Sequence, residues 1–206
     1  MIFMEIYIAT SNKHKVSEFG EMFAAAGLKC VVRSAADVIG FESPVEDGGT
    51  FEENAFIKAE ALKRKTPPDA YVMADDSGIV VDALGGAPGI RSARYAGVSG
   101  AGADSANNEK LLRELADVPD GKRSARFVCA IALICPDGER AAFCGKIEGV
   151  INRGAAGVNG FGYDPLFYQP ECGKTTAELS PEEKNAISHR GAAFAKLAEF
   201  LKTKTK

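Results

Sequence analysis

Tyr71-Val72-Met73-Ala74-Asp75-Asp76-Ser77-Gly78 is the stretch whose reading decides the fold. Its first four residues form a short apolar, β-rich run that predicts a buried strand. The run ends in two adjacent carboxylates, a hydroxyl and a glycine. In an open α/β sheet, ligands bind in the crevice beyond the carboxyl ends of the strands, and these acids fall at that place. If the strand persists through them, Asp75 and Asp76 point to opposite faces and only one enters a given site. An Asp-Ser-Gly turn closing a hairpin explains the tetrad alone equally well. The glycine- and proline-rich sequel from Ile79 to Gly97 is too long for a simple turn.

Outward from this stretch, the first half alternates strand and helix, which predicts an α/β fold. Glu5–Thr10 reads as a first strand. A helix follows in which Val16, Phe19, Gly20 and Phe23 keep a helical period. A second strand lies around Lys29–Arg33, and an acidic loop carries Glu42, Glu46 and Asp47. Thr50-Phe51-Glu52-Glu53 opens a helix with a capping-box pattern, running to about Lys65. Asn54 and Lys58 share one of its faces. Beyond the central stretch, Gly97–Gly102 predicts a flexible connection, and a helix spans roughly Ser105–Ala116. Arg123–Cys135 and Glu139–Val150 read as strands joined at Pro136-Asp137-Gly138, an antiparallel hairpin that makes the sheet mixed. Ser180-Pro181-Glu182-Glu183 starts a helix, Ser188–Gly191 interrupts it, and an amphipathic helix through Phe194, Leu197, Ala198 and Leu201 follows, with a frayed lysine-rich tail from Lys202.

Composition narrows the function. A chain of 206 residues predicts one domain over 1–206, with room for two lobes and a substantial core. A net charge of −3 argues against a nucleic-acid polymer as partner, while a small anion needs only a few local cations. The five cysteines are odd in number, scattered and without a C-x-x-C pair, as expected of reduced thiols in a cytoplasmic protein. No run approaches the ~18 apolar residues of a membrane span.

Three groups carry the chemistry. Thr10-Ser11-Asn12-Lys13-His14-Lys15 sits between the first strand and its helix, where unpaired amides and the helix dipole favour a phosphate. A cap by Ser11 or Asn12 with solvated lysines is the simpler account of the same residues. The acids offer oxygen ligands to a divalent ion. Gly160 and Gly162 permit close backbone approach in Phe161-Gly162-Tyr163-Asp164, whose aromatics can stack on a ring, and Lys184, His189 and Arg190 follow. Together these suit hydrolysis of a nucleotide phosphate. Gly173-Lys174-Thr175 resembles the end of a P-loop, but Tyr168 stands where the earlier glycine is required.

The ordered blocks Thr10–Lys15, Thr50–Ala55, Ala74–Gly97, Phe161–Asp164 and Ser188–Gly191 closely resemble the Ham1-like inosine triphosphate pyrophosphatases over nearly the whole chain. The resemblance implies an elongated, two-lobed α/β protein with a long mixed central sheet flanked by helices, a substrate cleft between the lobes, and a homodimer. It implies Mg²⁺-dependent hydrolysis of ITP, dITP and XTP to the monophosphate and pyrophosphate. Asp76 corresponds to the general base, and Glu46 with Asp76 to the metal ligands; the division of labour among Asp75, Asp76 and Glu46 stays open. Thr10, Ser11, Asn12, Lys13, His14, Lys15 and Ser77, with Lys58 in reach, correspond to the triphosphate site. Phe161, Gly162, Tyr163, Asp164, Lys184, His189 and Arg190 correspond to the base-binding group. A non-catalytic nucleotide sensor on the same scaffold is the alternative, and Mg²⁺-dependent turnover separates the two.

Overall fold

The computed structural model describes residues 4–204. Strands and helices alternate as β1 (Met4–Ile8), α1 (Lys13–Ala25), β2 (Cys30–Ser34), α2 (Phe51–Lys63), β3 (Tyr71–Val81) and α3 (Ala103–Glu114). The later chain adds β4 (Ser124–Ile134), β5 (Arg140–Ile151), β6 (Phe167–Gln169), β7 (Lys174–Thr175), α4 (Pro181–Ile187) and α5 (His189–Lys204). One seven-stranded sheet runs in the order β2-β1-β3-β4-β5-β6-β7. It is parallel where β1 meets β2 and β3, and antiparallel where β6 meets β5 and β7, so the sheet is mixed.

The chain divides into two compact units, the first formed by Met1–Asp76, Cys129–Gly145 and Ala192–Lys206, the second by Ser77–Val128 and Lys146–Gly191. In the first, strand alternation sorts the core into two clusters. Ile6, Ile8 and Met73 pack with Phe19 and Phe23 of α1 and Phe194 and Leu197 of α5. Tyr7, Val72 and Ala74 pack instead with Ala55, Ala59 and Leu62 of α2. Helix α2 begins where the sequence places it: the Thr50 hydroxyl accepts the Glu53 N–H at 3.1 Å, and Glu52 and Glu53 complement the positive end of the dipole. The second unit buries Ile79 and Val81 of β3 among Leu111, Leu115, Phe127, Leu166 and Phe167.

Three expectations change. Strand β3 does not stop at the acids but runs eleven residues through them, because Ile79-Val80-Val81 resumes a β-branched run and restores burial. Asp75 and Asp76 are therefore mid-strand residues. The break between the last helices is confined to Ser188, whose hydroxyl accepts the Gly191 N–H at 2.9 Å, so His189 and Arg190 already belong to the first turn of α5. Strands β6 and β7, three and two residues long, carry too little periodicity to be read from sequence. Helix α5 reaches Lys204, inside the tail expected to fray.

Arg123 ties the second unit together. Only 3% exposed, it donates from Nε to Ile151 O at 2.8 Å, from Nη1 to Leu115 O at 2.6 Å and Val118 O at 3.4 Å, and from Nη2 to Asn152 O at 3.1 Å. Two of these carbonyls lie at and just beyond the end of α3, where cations suit the dipole. Replacing Arg123 with Met keeps the stem but removes all four charge-assisted bonds, and is expected to cost about 3 kcal/mol. Thermal unfolding should show this as a Tm lower by roughly 6–12 °C.

Candidate active site

Two clusters of polar side chains stand out, one in each unit. The first grows from the alternation of β3. Asp75 shares the face of Met73 and meets α1: Lys15 Nζ lies 3.0 and 2.8 Å from its two carboxylate oxygens. Asp76 shares the face of Ala74 and meets α2: Lys58 Nζ donates to Oδ1 at 3.1 Å and Asn54 Nδ2 to Oδ2 at 3.3 Å. Lys58 also donates to Glu46 Oε2 at 3.2 Å, so one ammonium joins the acidic loop to the strand.

The environments of the two acids differ. The Asp75 side chain is 2% exposed and spans its lysine with both oxygens, whereas that of Asp76 is 13% exposed. Burial pushes the Asp76 carboxyl above the usual carboxylate range and the charge of Glu46 adds to the rise, while Lys58 and Asn54 offset only part of it. Burial opposes the charge on Lys58, but Asp76, Glu46 and Asp75 more than compensate, and its pKa is raised. Glu46 and Asp76 thus converge on a cation, and as oxygen ligands they fit a hard divalent ion. Among the described residues a group of three with metal-like spacing, Cys135, Asp137 and Glu139, lies at the β4–β5 turn, where Asp137 and Glu139 are ion-paired to Lys204.

Around the start of α1, Thr10 Oγ1 accepts the Asn12 N–H at 3.1 Å and Asn12 Oδ1 accepts the Lys15 N–H at 3.3 Å. Asn12 therefore caps the helix. Ser11, Asn12 and Lys13 are exposed, Thr10 is half-buried, and the side chain of His14 lies outside the described residues. Lys15 is engaged with Asp75 rather than solvated. Ser77 follows the two acids on β3, half-buried and counted in the second unit.

The second cluster centres on Asp164, which is 3% exposed. Its Oδ2 accepts the Phe161 N–H at 2.8 Å and Lys184 Nζ at 2.5 Å, and its Oδ1 accepts the Thr176 hydroxyl at 2.8 Å. Lys184 Nζ also stands 5.0 Å from the centroid of the Phe161 ring. Across a small cavity lined by Phe127, Lys184, Ser188 and His189, the His189 ring stacks on Phe127 at 5.1 Å and 15°. Arg190 is buried, at 5% exposure.

This corrects the expected roles within the glycine-aromatic loop. Tyr163 is a core residue, 4% exposed, with its hydroxyl donating to Ser92 O at 2.8 Å. Phe161, at 58% exposure, is the aromatic of the loop left at the surface. Gly160 adopts φ +76°, and a Cβ on it would stand 2.1 Å from Asp164 Oδ2, so the bare backbone makes room for the protein's own carboxylate. Four residues of these clusters were not assigned to the site from the sequence. Thr176 carries no motif. Asn54, wholly buried, accepts the Gly48 N–H at 2.9 Å while donating to Asp76; the sequence set it on the face of α2 that carries Lys58 but gave it no role. Asp104 and Asn108 of α3 bond the Gly162 backbone, Asp104 Oδ2 accepting its N–H at 2.8 Å and Asn108 Nδ2 donating to its C=O at 2.9 Å.

Residues 6–200 match the model of the Ham1 family. The chain is 51% identical to a dITP/XTP pyrophosphatase of Geobacillus kaustophilus, over 95% of this chain and 93% of that one. Among solved structures it is similar to a HAM1 protein from Coxiella burnetii, 39% identical with a TM-score of 0.88 over 98% of this chain and 100% of that one. It is also similar to a nucleoside-triphosphatase, dITP/XTP pyrophosphatase, from Mycobacterium abscessus, 44% identical with a TM-score of 0.78 over 94% and 97%.

Proposed function

The chain belongs to the Ham1 family, and from that premise we propose that it hydrolyses non-standard purine nucleoside triphosphates such as dITP and XTP to the monophosphate and pyrophosphate. The observation that carries the reading is near-half identity to a dITP/XTP pyrophosphatase along almost the whole chain, with both polar clusters present. The activity removes aberrant purines from the nucleotide pool.

Residue roles follow from the two clusters. The start of α1, from Thr10 to Lys15, offers amides, a hydroxyl and ammonium groups to the triphosphate, with Ser77 and Lys58 adding donors. Asp76 orients the attacking water and takes its proton; a carboxyl held above its ordinary pKa is the stronger base. Asp75, closed on Lys15 from the opposite face, is assigned the placing of that lysine. Glu46 and Asp76 would hold Mg²⁺, which supplies charge neutralisation on the phosphates. In the second cluster Phe161 stacks on the base, while Lys184, His189 and Arg190 supply donors toward a 6-oxo purine. Adenine presents an amino group at that position, and donor facing donor disfavours it, by about 10⁴-fold where the mismatch is buried. The active species is proposed to be a homodimer. No helix among the described residues is long and apolar enough to cross a membrane.

The test is a panel of ITP, dITP, XTP, GTP and ATP with and without Mg²⁺, with products identified. Pyrophosphate from the first three, in Mg²⁺ only, is the expected result. Orthophosphate as the sole product, or ATP turned over as fast as ITP, rejects the reading.

A further inference from the structure

Phe161 stands between two glycines in the left-handed region, Gly160 at φ +76° and Gly162 at φ +61°. Such a backbone has little directional preference of its own, so the pose of an exposed ring carried on it must be imposed from outside. On the Gly160 side the bond is internal, from the Phe161 N–H to Asp164. On the Gly162 side α3 holds both backbone polar groups of the glycine, which belong to successive peptide units: the N–H by Asp104 and the C=O by Asn108. These residues are four apart, so they occupy one face of the helix and reach the loop together. Asn107 between them serves another segment, its Oδ1 accepting the Ala96 N–H at 2.7 Å and its Nδ2 donating to Ala93 O at 3.3 Å.

We propose that Asp104 and Asn108 are positioning residues for nucleotide recognition, a two-point clamp on Gly162 that fixes the direction of the Phe161 ring toward the purine. The proposal rests on the base-reading role given above to the Phe161 loop. Neither clamp residue touches substrate. Their removal frees the ring, and the cost falls on binding rather than on the bond-breaking step, which belongs to the Asp76 cluster.

The experiment uses a reporter as well as kinetics. The chain contains no tryptophan, so Phe161→Trp installs a single tryptophan at the ring itself, excited selectively beyond the tyrosine band. ITP titrated in EDTA then reads binding without turnover, and steady-state kinetics on the otherwise native chain read KM and kcat. Asp104→Ala and Asn108→Ala are each expected to raise KM, and the Kd of the reporter, about tenfold, with kcat within about twofold of the parent. Asp104→Asn restores an acceptor for the Gly162 N–H and is expected to recover most of the affinity. Because it lacks the charge, as Ala does, its recovery separates the clamp from a helix-dipole effect at the start of α3. Asn108→Asp sets a carboxylate against the Gly162 carbonyl and should bind more weakly than Asn108→Ala. Unchanged KM in both alanine variants, kcat falling while KM stays put, or Asp104→Asn no better than Asp104→Ala each overturns the clamp. A reporter silent toward ITP in the parent overturns the base-reading role and the clamp's purpose with it. A reporter that responds equally with and without the clamp residues overturns the clamp alone.

Discussion

Asp76→Asn is expected to lower kcat by about 10³-fold while ITP still binds. The substitution keeps shape and one acceptor oxygen but removes the lone pair that takes the water's proton. It also turns one of two bonds repulsive. Lys58 and Asn54 both donate to Asp76, and Asn54 cannot flip to accept because its own oxygen holds the Gly48 N–H. A modest loss of stability therefore accompanies the loss of turnover, so nucleotide binding in the absence of metal must be measured beside the rate. Retention of full activity would remove Asp76 from the mechanism. Glu46→Gln is the informative companion: the loop keeps a ligand oxygen but loses charge, so higher Mg²⁺ should recover part of the rate, which it cannot do for Asp76→Asn.

The second large effect is expected at Gly160. Gly160→Ala forces a side chain into the left-handed region and sets its Cβ against Asp164 Oδ2, with Lys184 Nζ 3.1 Å away. The backbone alone costs roughly 1–2 kcal/mol. Displacing the carboxylate loosens its bonds to the Phe161 N–H and Lys184, at about 1–3 kcal/mol for a buried charged group. Together these predict kcat/KM for ITP lower by about 10²-fold, mostly through KM. Gly162→Ala supplies the control. Its φ is +61°, but a Cβ there meets nothing within 4 Å, so it carries the backbone cost without the collision. Equal effects of the two substitutions would show that the Asp164–Lys184 pair does not govern base binding.

Much of this was legible in the sequence, for identifiable reasons. The cap of α2, the start of α4 and the β4–β5 turn each rest on chemistry confined to four or five neighbouring residues, and the structure has them where the letters put them. The path of β3 through Asp75 and Asp76 was harder. Two carboxylates, a hydroxyl and a glycine look like the end of a strand; what keeps it extended is the apolar run that follows and long-range pairing. The fate of Tyr163 was illegible, since Phe161 and Tyr163 flank the same glycine and only tertiary packing sends one inward. Asn54, Thr176 and the two clamp residues act across gaps of 12 to 58 positions, which no local pattern encodes.

The pleat of β3 gives its paired acids a last consequence. Identical letters side by side invite the thought of a spare, yet each aspartate addresses a different helix, and neither can stand in for the other. Adding or deleting one residue ahead of them would turn each acid to the opposite face of the strand, the one that now faces α1 toward the side of α2 and the other toward the side of α1. Substitution at Asp75 or Asp76 alters the contacts of one acid, but a change of length there turns both. Along Tyr71–Asp76 the chain must keep count.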